Sequence, residues 1–438
     1  MSLSALYDLF LQHPAVCTDT RKVVPGSLFF ALKGPNFNGN LFAQEALDKG
    51  AAYAVVDKSE VSGNNDRFVG VEDTLETLQD LAYHHRMQMD IPVIAITGSN
   101  GKTTTKELTT AVCRTRYRTL ATEGNLNNHI GVPLTLLRLR PEHQVAIIEM
   151  GANHQREIAL YCRIAAPTHG LITNCGKAHI EGFGGEAGVR KGKGELYDYL
   201  REEGGKVFLY ADAPYLEEMA AGISGILRYG SSENCEVQGT LLPDAKGFLR
   251  FRAKTKNDTA AIQTQLVGDY NLPNALAALA VGDALGIPLA EGARAVADYT
   301  PDNSRSQQIA WAGNTLILDA YNANPSSMRA AISAFADRTG GKGILWLGAM
   351  KEMGVDSEKE HRELVQFIQQ WPWENVVLVG KEFENTVTDA RWFPDVETAF
   401  MEMQKDALPS GENILLKGSR GSRMERLLEL APDSGKRE

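Results

Sequence analysis

Long apolar runs are absent from this sequence, and so are paired cysteine motifs. No stretch approaches the roughly 20 apolar residues that a helix needs to cross a bilayer, so we expect no membrane insertion. The first residues, MSLSALYDLF, lack the basic segment and long apolar stretch of a secretory signal. The cysteines show no CxxC spacing. These absences predict a cytoplasmic protein. We expect its cysteines to be reduced thiols; they are Cys17, Cys113, Cys162, Cys175 and Cys235.

Positive charge is also in deficit. The 45 Lys and Arg residues face 55 Asp and Glu residues, which gives a formal net charge of -10 at pH 7. This balance argues against broad nucleic-acid binding, and anionic small substrates would need locally concentrated basic groups. Because domains beyond ~250 residues usually divide, the 438 residues predict two or three cores. We expect a monomer that binds no nucleic acid.

Strand-like and turn-like segments divide the chain into three α/β units. Up to residue 88, short apolar runs alternate with turn residues, which predicts a small α/β domain over residues 1–88. Over residues 89–302, apolar runs alternate with helical stretches in the rhythm of a parallel sheet. The polar cluster Pro301 to Ser304 suits a linker, and a second doubly wound sheet is predicted for residues 303–438. The predicted strands of the two larger units are 93–96, 145–148, 170–173, 207–210, 316–318, 343–347, 376–379 and 414–416, with helices at 275–285, 326–335 and 360–370.

A glycine-rich turn follows the first of these strands. The run VIAIT leads into Gly98-Ser99-Asn100-Gly101-Lys102-Thr103-Thr104. A buried strand, a tight turn and a helix start direct several backbone N–H groups and the helix dipole at one point, which predicts a phosphate site. Lys102 would meet the outer phosphates, and the Thr103 hydroxyl would bind Mg²⁺. The full P-loop pattern would have glycine in place of Ile96, so a turn that merely contains GKT is the alternative.

Two strands further along end on side chains that suit a metal. Glu149 ends the apolar run VAII, and His179 follows the run GLIT. Ligands gather at the carboxyl ends of strands in open α/β sheets, so Glu149 is a candidate magnesium ligand and His179 a candidate ligand or acid–base group. A solvated carboxylate and a merely hydrogen-bonded histidine are the alternatives.

Basic and amide-rich segments supply further candidates. The run Arg190-Lys191-Gly192-Lys193 is either a solvated helix face or a contact with phosphates and carboxylates. The amides of Asn271 and Asn274, like those of Asn322 and Asn324, precede helical stretches, where they either cap the helix or contact ribose and adenine.

A cationic turn follows the last predicted strand. It contains Lys417, Arg420 and Arg423. These groups could meet the carboxylate of a substrate, and a solvated basic loop is the alternative.

Several motifs in this order resemble the Mur ligase family of bacterial cell-wall synthesis. They are TDTRKVVPGSLFFALKG, TGSNGKTTTKE, GNLNNHIGVPLTLL, EMGANHQREI, KAHIEGFG, GDYNLPNALAA, DAYNANPSSM and LLKGSRGSRME. The family's phosphate loop has the same short TGxxGKT form, which accounts for Ile96. The resemblance implies three domains: an N-terminal unit for a UDP-sugar, a central P-loop ATPase-like unit with a parallel sheet, and a C-terminal doubly wound unit that closes over the site.

The resemblance also implies roles for individual residues. Thr20 and Arg21 would face the UDP end of the substrate, and Asn127 and Asn128 would contact its peptide. Lys193 corresponds to a lysine that forms a carbamate in related ligases, although Lys191 is close enough to compete. Glu149 and His179 would hold magnesium, and the nucleotide would be surrounded by Asn271, Asn274, Arg305 and Asp319, with Asn322 and Asn324 near its adenine.

The reaction implied is an ATP-dependent amide ligation in peptidoglycan precursor synthesis. ATP would phosphorylate the terminal carboxylate of a UDP-N-acetylmuramoyl-tripeptide, and the amine of D-alanyl-D-alanine would attack the resulting acyl phosphate. Cations such as Lys102 and magnesium would supply much of the catalysis. Ala349 departs from the family pattern, which has Asp there, and this puts the role of its loop in doubt.

Two alternatives stay open at this point. One is another amide ligase of the same superfamily, which would add an amino acid to a UDP-muramoyl peptide or glutamate to a folate; DAYNANPSSM and KGSRG favour the dipeptide ligase. The other is a nucleotide-binding regulatory protein without turnover. The joint presence of Lys102, Thr103, Glu149 and His179 argues against it.

Overall fold

The computed structural model describes residues 1–59, 65–244, 247–302, 304–386 and 389–431. The described residues form three successive sheets with helices packed around them. None of the described helices is both long and apolar enough to span a membrane. The predicted boundary at residues 302 and 303 falls between the second and third sheets, and Asn303 itself lies outside the described residues.

The first sheet contains four parallel strands in the order β1-β2-β5-β6, and a two-stranded hairpin, β3-β4, stands beside it. Short 3₁₀ helices cover Thr20–Lys22 and Gly39–Phe42. The elements are α1 Leu3–Gln12, β1 Val16–Cys17, β2 Leu28–Phe30, β3 Lys33–Gly34, β4 Phe37–Asn38, α2 Ala43–Asp48, β5 Tyr53–Asp57, β6 Phe68–Val71 and α3 Thr74–Met87.

The second sheet contains nine strands in the order β15-β14-β13-β12-β11-β10-β7-β9-β8. It is parallel from β8 to β13 and antiparallel from β13 to β15. The elements are β7 Val93–Thr97, α4 Lys102–Arg114, β8 Thr119–Ala121, α5 Gly131–Leu136, β9 Val145–Glu149, α6 Glu157–Ala165, β10 His169–Ile172, α7 Ile180–Phe183, α8 Glu186–Glu202, β11 Lys206–Tyr210, α9 Pro214–Met219, β12 Gly225–Gly230, β13 Val237–Leu241, β14 Phe248–Lys254, β15 Thr259–Val267, α10 Leu272–Ala284 and α11 Leu289–Asp298.

The third sheet contains six strands in the order β16-β17-β21-β18-β19-β20, parallel except for the β16-β17 pair. Its elements are β16 Gln307–Trp311, β17 Asn314–Asp319, α12 Pro325–Thr339, β18 Ile344–Gly348, α13 Ser357–Ile368, β19 Asn375–Val379, β20 Arg391–Phe393, α14 Val396–Met403 and β21 Asn413–Lys417. Further 3₁₀ helices cover Asp269–Asn271, Gly354–Asp356, Lys381–Phe383, Arg420–Ser422 and Met424–Leu430.

The α/β class, the parallel central sheet and the doubly wound third sheet are confirmed, and each predicted strand matches an observed one to within one or two residues at either end. The antiparallel extension β13-β14-β15 was not predicted. Its strands alternate buried and exposed residues, as in the pattern of β14, because one face packs on α10 and the other faces solvent.

One apolar core runs through both the first and the second sheets. Leu78, Leu81 and Ala82 of α3 repeat at helical spacing and pack in the same cluster as Ile148 and Ile158. Arg86, at the end of α3, donates hydrogen bonds to the carbonyls of Ala165 and Ala166, where α6 ends and its last carbonyls lack helical partners. The third sheet has a cluster on each of its two faces, and one of them also contains Ile180 and Val267 of the second unit.

Candidate active site

The turn between β7 and α4 lies at the switch point of the second sheet, because the chain moves to one side of β7 for β8 and β9 and to the other for β10. Gly101 has φ +80° at the N-terminus of α4, and a Cβ there would lie 2.5 Å from Asn274 Oδ1. Gly98 has φ +143°, and a Cβ there would lie 2.0 Å from Thr173 Oγ1. Both positions therefore require glycine for conformation and for space.

Lys102 folds back over this turn. Its Nζ donates to the Gly98 carbonyl at 2.6 Å and to the Ser99 carbonyl at 3.2 Å. Burial lowers the pKa of Lys102 to about 8, and the facing Glu149 carboxylate offsets part of that shift. The ammonium is thus held at the turn where phosphate oxygens would replace the carbonyls as its partners.

Glu149 is buried, with 1% of its surface exposed, at the end of β9. Asn127 donates to Oε1 at 2.7 Å, while Oε2 has no protein partner. A buried carboxylate oxygen without a partner fits a hard cation such as Mg²⁺. Thr103 is buried on the first turn of α4, and no cluster of three or more His, Cys, Asp or Glu side chains within the described residues could hold a metal alone. Other oxygens, such as a hydroxyl or substrate phosphates, would have to complete the shell.

His179 lies between β10 and α7 with φ +53°. Its Nδ1 is in ion-pair contact with the carboxylate Oε2 of Glu352, a residue that follows β18 in the third unit, although the two groups are not aligned as a hydrogen bond. The contact with His179 holds the pKa of Glu352 below its usual range. The histidine therefore lies at the seam between the second and third units.

Lys193, on α8, has 1% of its surface exposed. Its Nζ donates to the Ala152 carbonyl at 3.1 Å and lies 4.9 Å from the centre of the Phe183 ring. Burial, and then the nearby charge of Lys102, lower the pKa of Lys193 to about 7. Lys191, two positions earlier, is exposed. The environment distinguishes the two lysines, and Lys193 is the one held in surroundings that favour a neutral amine.

Asn271 and Asn274 connect α10 to α4. Asn274 accepts a hydrogen bond from Thr105 Oγ1 at 3.0 Å and donates to Asn271 Oδ1 at 3.0 Å. Asn271 in turn donates to the Val267 carbonyl at 3.0 Å. Both side chains also line the cavity described below. They are therefore structural links between the two helices and, at the same time, candidate ligand contacts.

The third unit adds a charged wall. Asp319 forms an ion pair with Lys417 at 2.5 Å, and Asn322 lies within 3.4 Å of the same ammonium through its carbonyl. The Arg305 guanidinium lies 3.9 Å from the centre of the Tyr321 ring, with the Arg420 guanidinium 5.7 Å from it. Lys417, which was predicted to meet a substrate carboxylate, thus contacts Asp319 and Asn322, two of the residues predicted for the nucleotide.

Asn324 reaches the glycine-rich turn before α4. It caps α12 by accepting from Ser327 N at 2.9 Å, and its Nδ2 donates to Asn100 Oδ1 at 2.7 Å. The Asn100 carbonyl accepts from Thr173 Oγ1 and Asn174 Nδ2 on the other side. Asn324 therefore links the third unit to the turn that was predicted to bind phosphate, rather than lining the cavity.

These elements surround a cavity of about 830 Å³. Of the predicted residues, those that line it are Ser99, Asn100, Gly101, Lys102, Thr104, Asn127, Asn128, Glu149, His179, Asn271, Asn274, Arg305, Asp319, Asn322 and Lys417. Gly98, Thr103, Lys193 and Asn324 stand directly behind that lining, joined to it by chain position or by the contacts above. Sequence reasoning missed Tyr161, Tyr210, Tyr215, Tyr270 and Ser326 in the lining, although Tyr270 and Ser326 fall within motifs already recognised.

The remaining four predicted residues lie neither in the lining nor directly behind it. Thr20 and Arg21 are in the first unit, where Arg21 donates to Asp19 at 2.7 Å and holds the pKa of Asp19 down at about 2. Arg420 is held beside Tyr321, whereas Arg423 forms an ion pair with Glu397 at 3.0 Å and is largely exposed. The three cations of this turn therefore have three different partners, which are Asp319 for Lys417, Tyr321 for Arg420 and Glu397 for Arg423.

A glycine-rich turn between a strand and a helix at the switch point of a parallel sheet, faced by a second doubly wound unit, is typical of enzymes of the nucleotide-dependent phosphoryl-transfer class. Three family models match the chain: the Mur ligase family catalytic domain over residues 14–86, the Mur ligase middle domain over 96–282 and the Mur ligase glutamate ligase domain over 304–420. The chain belongs to the Mur ligase family, and the resemblance inferred from its motifs is confirmed.

Relatives and solved structures agree with this assignment. The UDP-N-acetylmuramoyl-tripeptide–D-alanyl-D-alanine ligase of Escherichia coli is 36% identical, over 96% of this chain and 94% of its own length. The Bacillus subtilis ligase of the same name is 34% identical, over 94% and 92%. A crystal structure of MurF from Acinetobacter baumannii superposes with a TM-score of 0.86 at 30% identity, covering 98% of both chains. MurF from Thermotoga maritima in complex with ADP gives 0.85 at 27% identity, covering 97% of both.

Proposed function

We propose that the protein joins D-alanyl-D-alanine to a UDP-N-acetylmuramoyl-tripeptide with hydrolysis of ATP to ADP and phosphate, in the cytoplasm, as a step of peptidoglycan precursor synthesis. The observation that carries this proposal is the cavity between the second and third units, where the phosphate loop, Lys102 and the partnerless oxygen of Glu149 meet. The relatives that match along nearly the whole chain carry the name of this reaction.

The chain's own groups suit the two steps. Backbone N–H groups of Gly98 to Lys102 and the Lys102 ammonium would hold the phosphates while the terminal carboxylate of the peptide attacks the γ-phosphorus. The amine of the dipeptide would then attack the carbonyl carbon of the acyl phosphate, phosphate would leave, and the amine proton would pass to solvent or phosphate. The third unit covers the site, which keeps water from the reactive acyl phosphate.

Magnesium belongs to this proposal, and Thr103, Glu149 and His179 are the residues we assign to it. Bound there, the ion would neutralise charge on the phosphates as they transfer. The partnerless Oε2 of Glu149 and the histidine in the cavity lining support the assignment.

Lys193 is proposed to carry a carbamate, formed when its neutral amine adds carbon dioxide and releases a proton. The buried, desolvated amine favours the neutral form that this reaction requires. A carbamate on Lys193 would supply hard anionic oxygens close to Lys102. An ammonium on Lys193 would instead repel both the Lys102 ammonium and a metal ion.

Substrate contacts are proposed at three places. Asn127 and Asn128 would meet the peptide of the UDP-linked substrate, and Thr20 and Arg21 would meet its UDP end from the first unit, which we take to cover residues 1–88. For the dipeptide carboxylate we retain Arg420, because Lys417 is already neutralised by Asp319 and Arg423 by Glu397. Asn271, Asn274, Arg305, Asp319 and Asn322 would surround the nucleotide.

A substrate matrix tests the function. Purified monomeric or oligomeric protein would be incubated with ATP and UDP-muramoyl peptides of different length, including both lysine and diaminopimelate tripeptides, each crossed with alanine, glutamate and D-alanyl-D-alanine. Mass spectrometry should find one new amide, between a tripeptide and D-alanyl-D-alanine, with matching ADP release. Lys102→Ala should reduce the rate by roughly a hundredfold or more while remaining folded. An amide formed with glutamate or alanine instead, or no ATP-dependent product, would contradict the proposal.

A further inference from the structure

The loop after β18 places a carboxylate against the histidine of the cavity. Ala349 and Met350 begin this loop and are buried, and Met353 is buried after it. The Ala349 carbonyl accepts from Ser419 Oγ at 2.7 Å, and Met350 N donates to His361 Nε2 at 3.0 Å. Buried groups therefore fix both ends of the loop, and Glu352 projects from it at a defined position.

The segment around His179 is fixed from the other side of the same seam. Ile180, the next residue, packs in the apolar cluster that also contains Met350 and Met353. A Cβ on Gly354 would lie 3.2 Å from the Glu181 side chain, so the two segments touch without room for a larger residue. The second and third units thus meet in a packed contact around one polar pair, Glu352 and His179.

Both members of that pair have an unfavourable backbone. His179 has φ +53° and Glu352 has φ +63°, a conformation that residues with a Cβ rarely adopt. Such strain persists where surrounding contacts impose it, and it concentrates at functional sites. Two strained residues that contact each other from different units are better explained by a requirement for that contact than by loop geometry alone.

We propose that Glu352 is a positioning residue that the third unit supplies to His179: its carboxylate, already in contact with Nδ1, would accept from Nδ1–H once the ring aligns in the working enzyme, which would fix the ring and its tautomer and leave Nε2 as the nitrogen available to the cavity. A hydrogen bond at one ring nitrogen determines the state of the other. The inference rests on the proposed function for its kinetic consequences. It means that the histidine is correctly set only when the third unit has closed.

Kinetic measurements on matched variants can distinguish two roles of Glu352, the positioning of His179 and the mere stabilisation of the contact between the second and third units. Glu360→Gln is the control, because Glu360 forms an ion pair across the same seam with Lys177 at 2.7 Å and does not touch His179. We expect Glu352→Ala to lower kcat by about tenfold to a hundredfold with the KM for ATP changed less than about twofold. Glu352→Asp should recover part of the loss, and Glu360→Gln, which removes no contact with His179, should lower kcat less than about threefold. Combined with His179→Ala, Glu352→Ala should add nothing further.

A spectroscopic measurement tests the contact without turnover. Long-range ¹H–¹⁵N spectra of the histidine rings, with His179 assigned from a His179→Asn variant, should show a protonated Nδ1 in the wild type and in Glu360→Gln, and its loss in Glu352→Ala. Equal kinetic losses in Glu352→Ala and Glu360→Gln, multiplicative losses with His179→Ala, or an unchanged tautomer would overturn the inference. A wild type that ligates none of the substrates would reject the proposed function instead, and the ring spectrum would still decide the role of Glu352.

Discussion

Two lysines of the cavity region have lowered pKa values, about 8 for Lys102 and about 7 for Lys193. Burial is the largest cause for both, and the charge of Lys102 further lowers the pKa of Lys193. In the proposed mechanism, the Lys102 ammonium would stand beside the transferring phosphates, whereas a second ammonium close by would only add repulsion. The side chain at position 193 is therefore better suited to leave its cationic form than to retain it.

Replacement of Lys193 should separate it from its neighbour Lys191. Lys193→Ala should lose most ligase activity, and short carboxylates such as acetate should restore part of it by occupying the vacated space. Lys191→Ala, the matched control on the same helix, should keep nearly full activity because its side chain is exposed. The comparison requires initial rates with and without added carboxylate. Full activity in Lys193→Ala would remove the carbamate from the mechanism.

The lowered pKa of Lys193 should also make the free energy of unfolding depend on pH. An unfolded lysine titrates near 10.4, so between pH 7 and 10 the unfolded chain binds one more proton at this position than the folded chain does. The free energy of unfolding therefore gains a contribution that rises with pH across this window, by up to about 1.4 kcal/mol per unit. In carbon dioxide-free buffer, Lys193→Met should lose this rise and should unfold at a higher temperature at pH 7. Parallel pH profiles for the two proteins would argue against a depressed pKa.

At the scale of elements, the junction of β7 and α4 depends on Gly101. Alanine there would meet Asn274 at 2.5 Å and would push α10 away from α4. We expect Gly101→Ala to weaken ATP binding by at least about tenfold, since the loop amides move together. Gly286→Ala is the control, because Gly286 has a similar φ of +77° with no atom within 4 Å of the added Cβ. It should cost about 1 kcal/mol of stability and leave the nucleotide affinity, measured by calorimetry, unchanged. Equal affinities in the two variants would contradict the assignment of the loop.

The start of α12 combines a helix cap with a contact between units. Asn324→Ala removes the cap and the hydrogen bond to Asn100, whereas Asp395→Ala removes a comparable cap from α14, where Asp395 accepts from Thr398 N at 2.8 Å. Both variants should lose about 1 kcal/mol of stability. Only Asn324→Ala should raise the KM for ATP, by several-fold. Similar KM values in both variants would reduce Asn324 to a structural cap.

Elements were easier to predict from sequence than the contacts between them. Strands such as β7 and β9 are buried on both faces and read as continuous apolar runs, and the site residues at their ends followed from that placement. The antiparallel β14 alternates instead and carries no motif, so it was missed. Glu352 was missed for another reason: it follows its strand by four positions, and its importance arises from a partner more than 170 residues away.

For the whole molecule, the location of the cavity between two units predicts that nucleotide links their unfolding. Apart from Ile180 and Val267, which pack in a cluster of the third unit, the buried apolar residues described for the second unit form clusters without residues of the third, so the two units should unfold in distinguishable calorimetric steps. ADP at about 100 times its dissociation constant should stabilise the folded pair by about 2.7 kcal/mol and bring the steps together. Lys102→Ala, as the control, should show a much smaller shift. Nucleotide that moved the transition of the second unit alone would place its site entirely there.

The core that runs from α3 into α6 bears on how such a chain can be recombined. In a hybrid of two related proteins joined near residue 88, one apolar cluster would contain side chains from both proteins. Arg86 from one protein would also have to form its hydrogen bonds with the end of α6 from the other. A crossover near residue 302 would leave each cluster whole apart from the few side chains that meet at the seam. Hybrids between members of this family should therefore tolerate exchange of the third unit, whereas the first and second units should be exchanged only together.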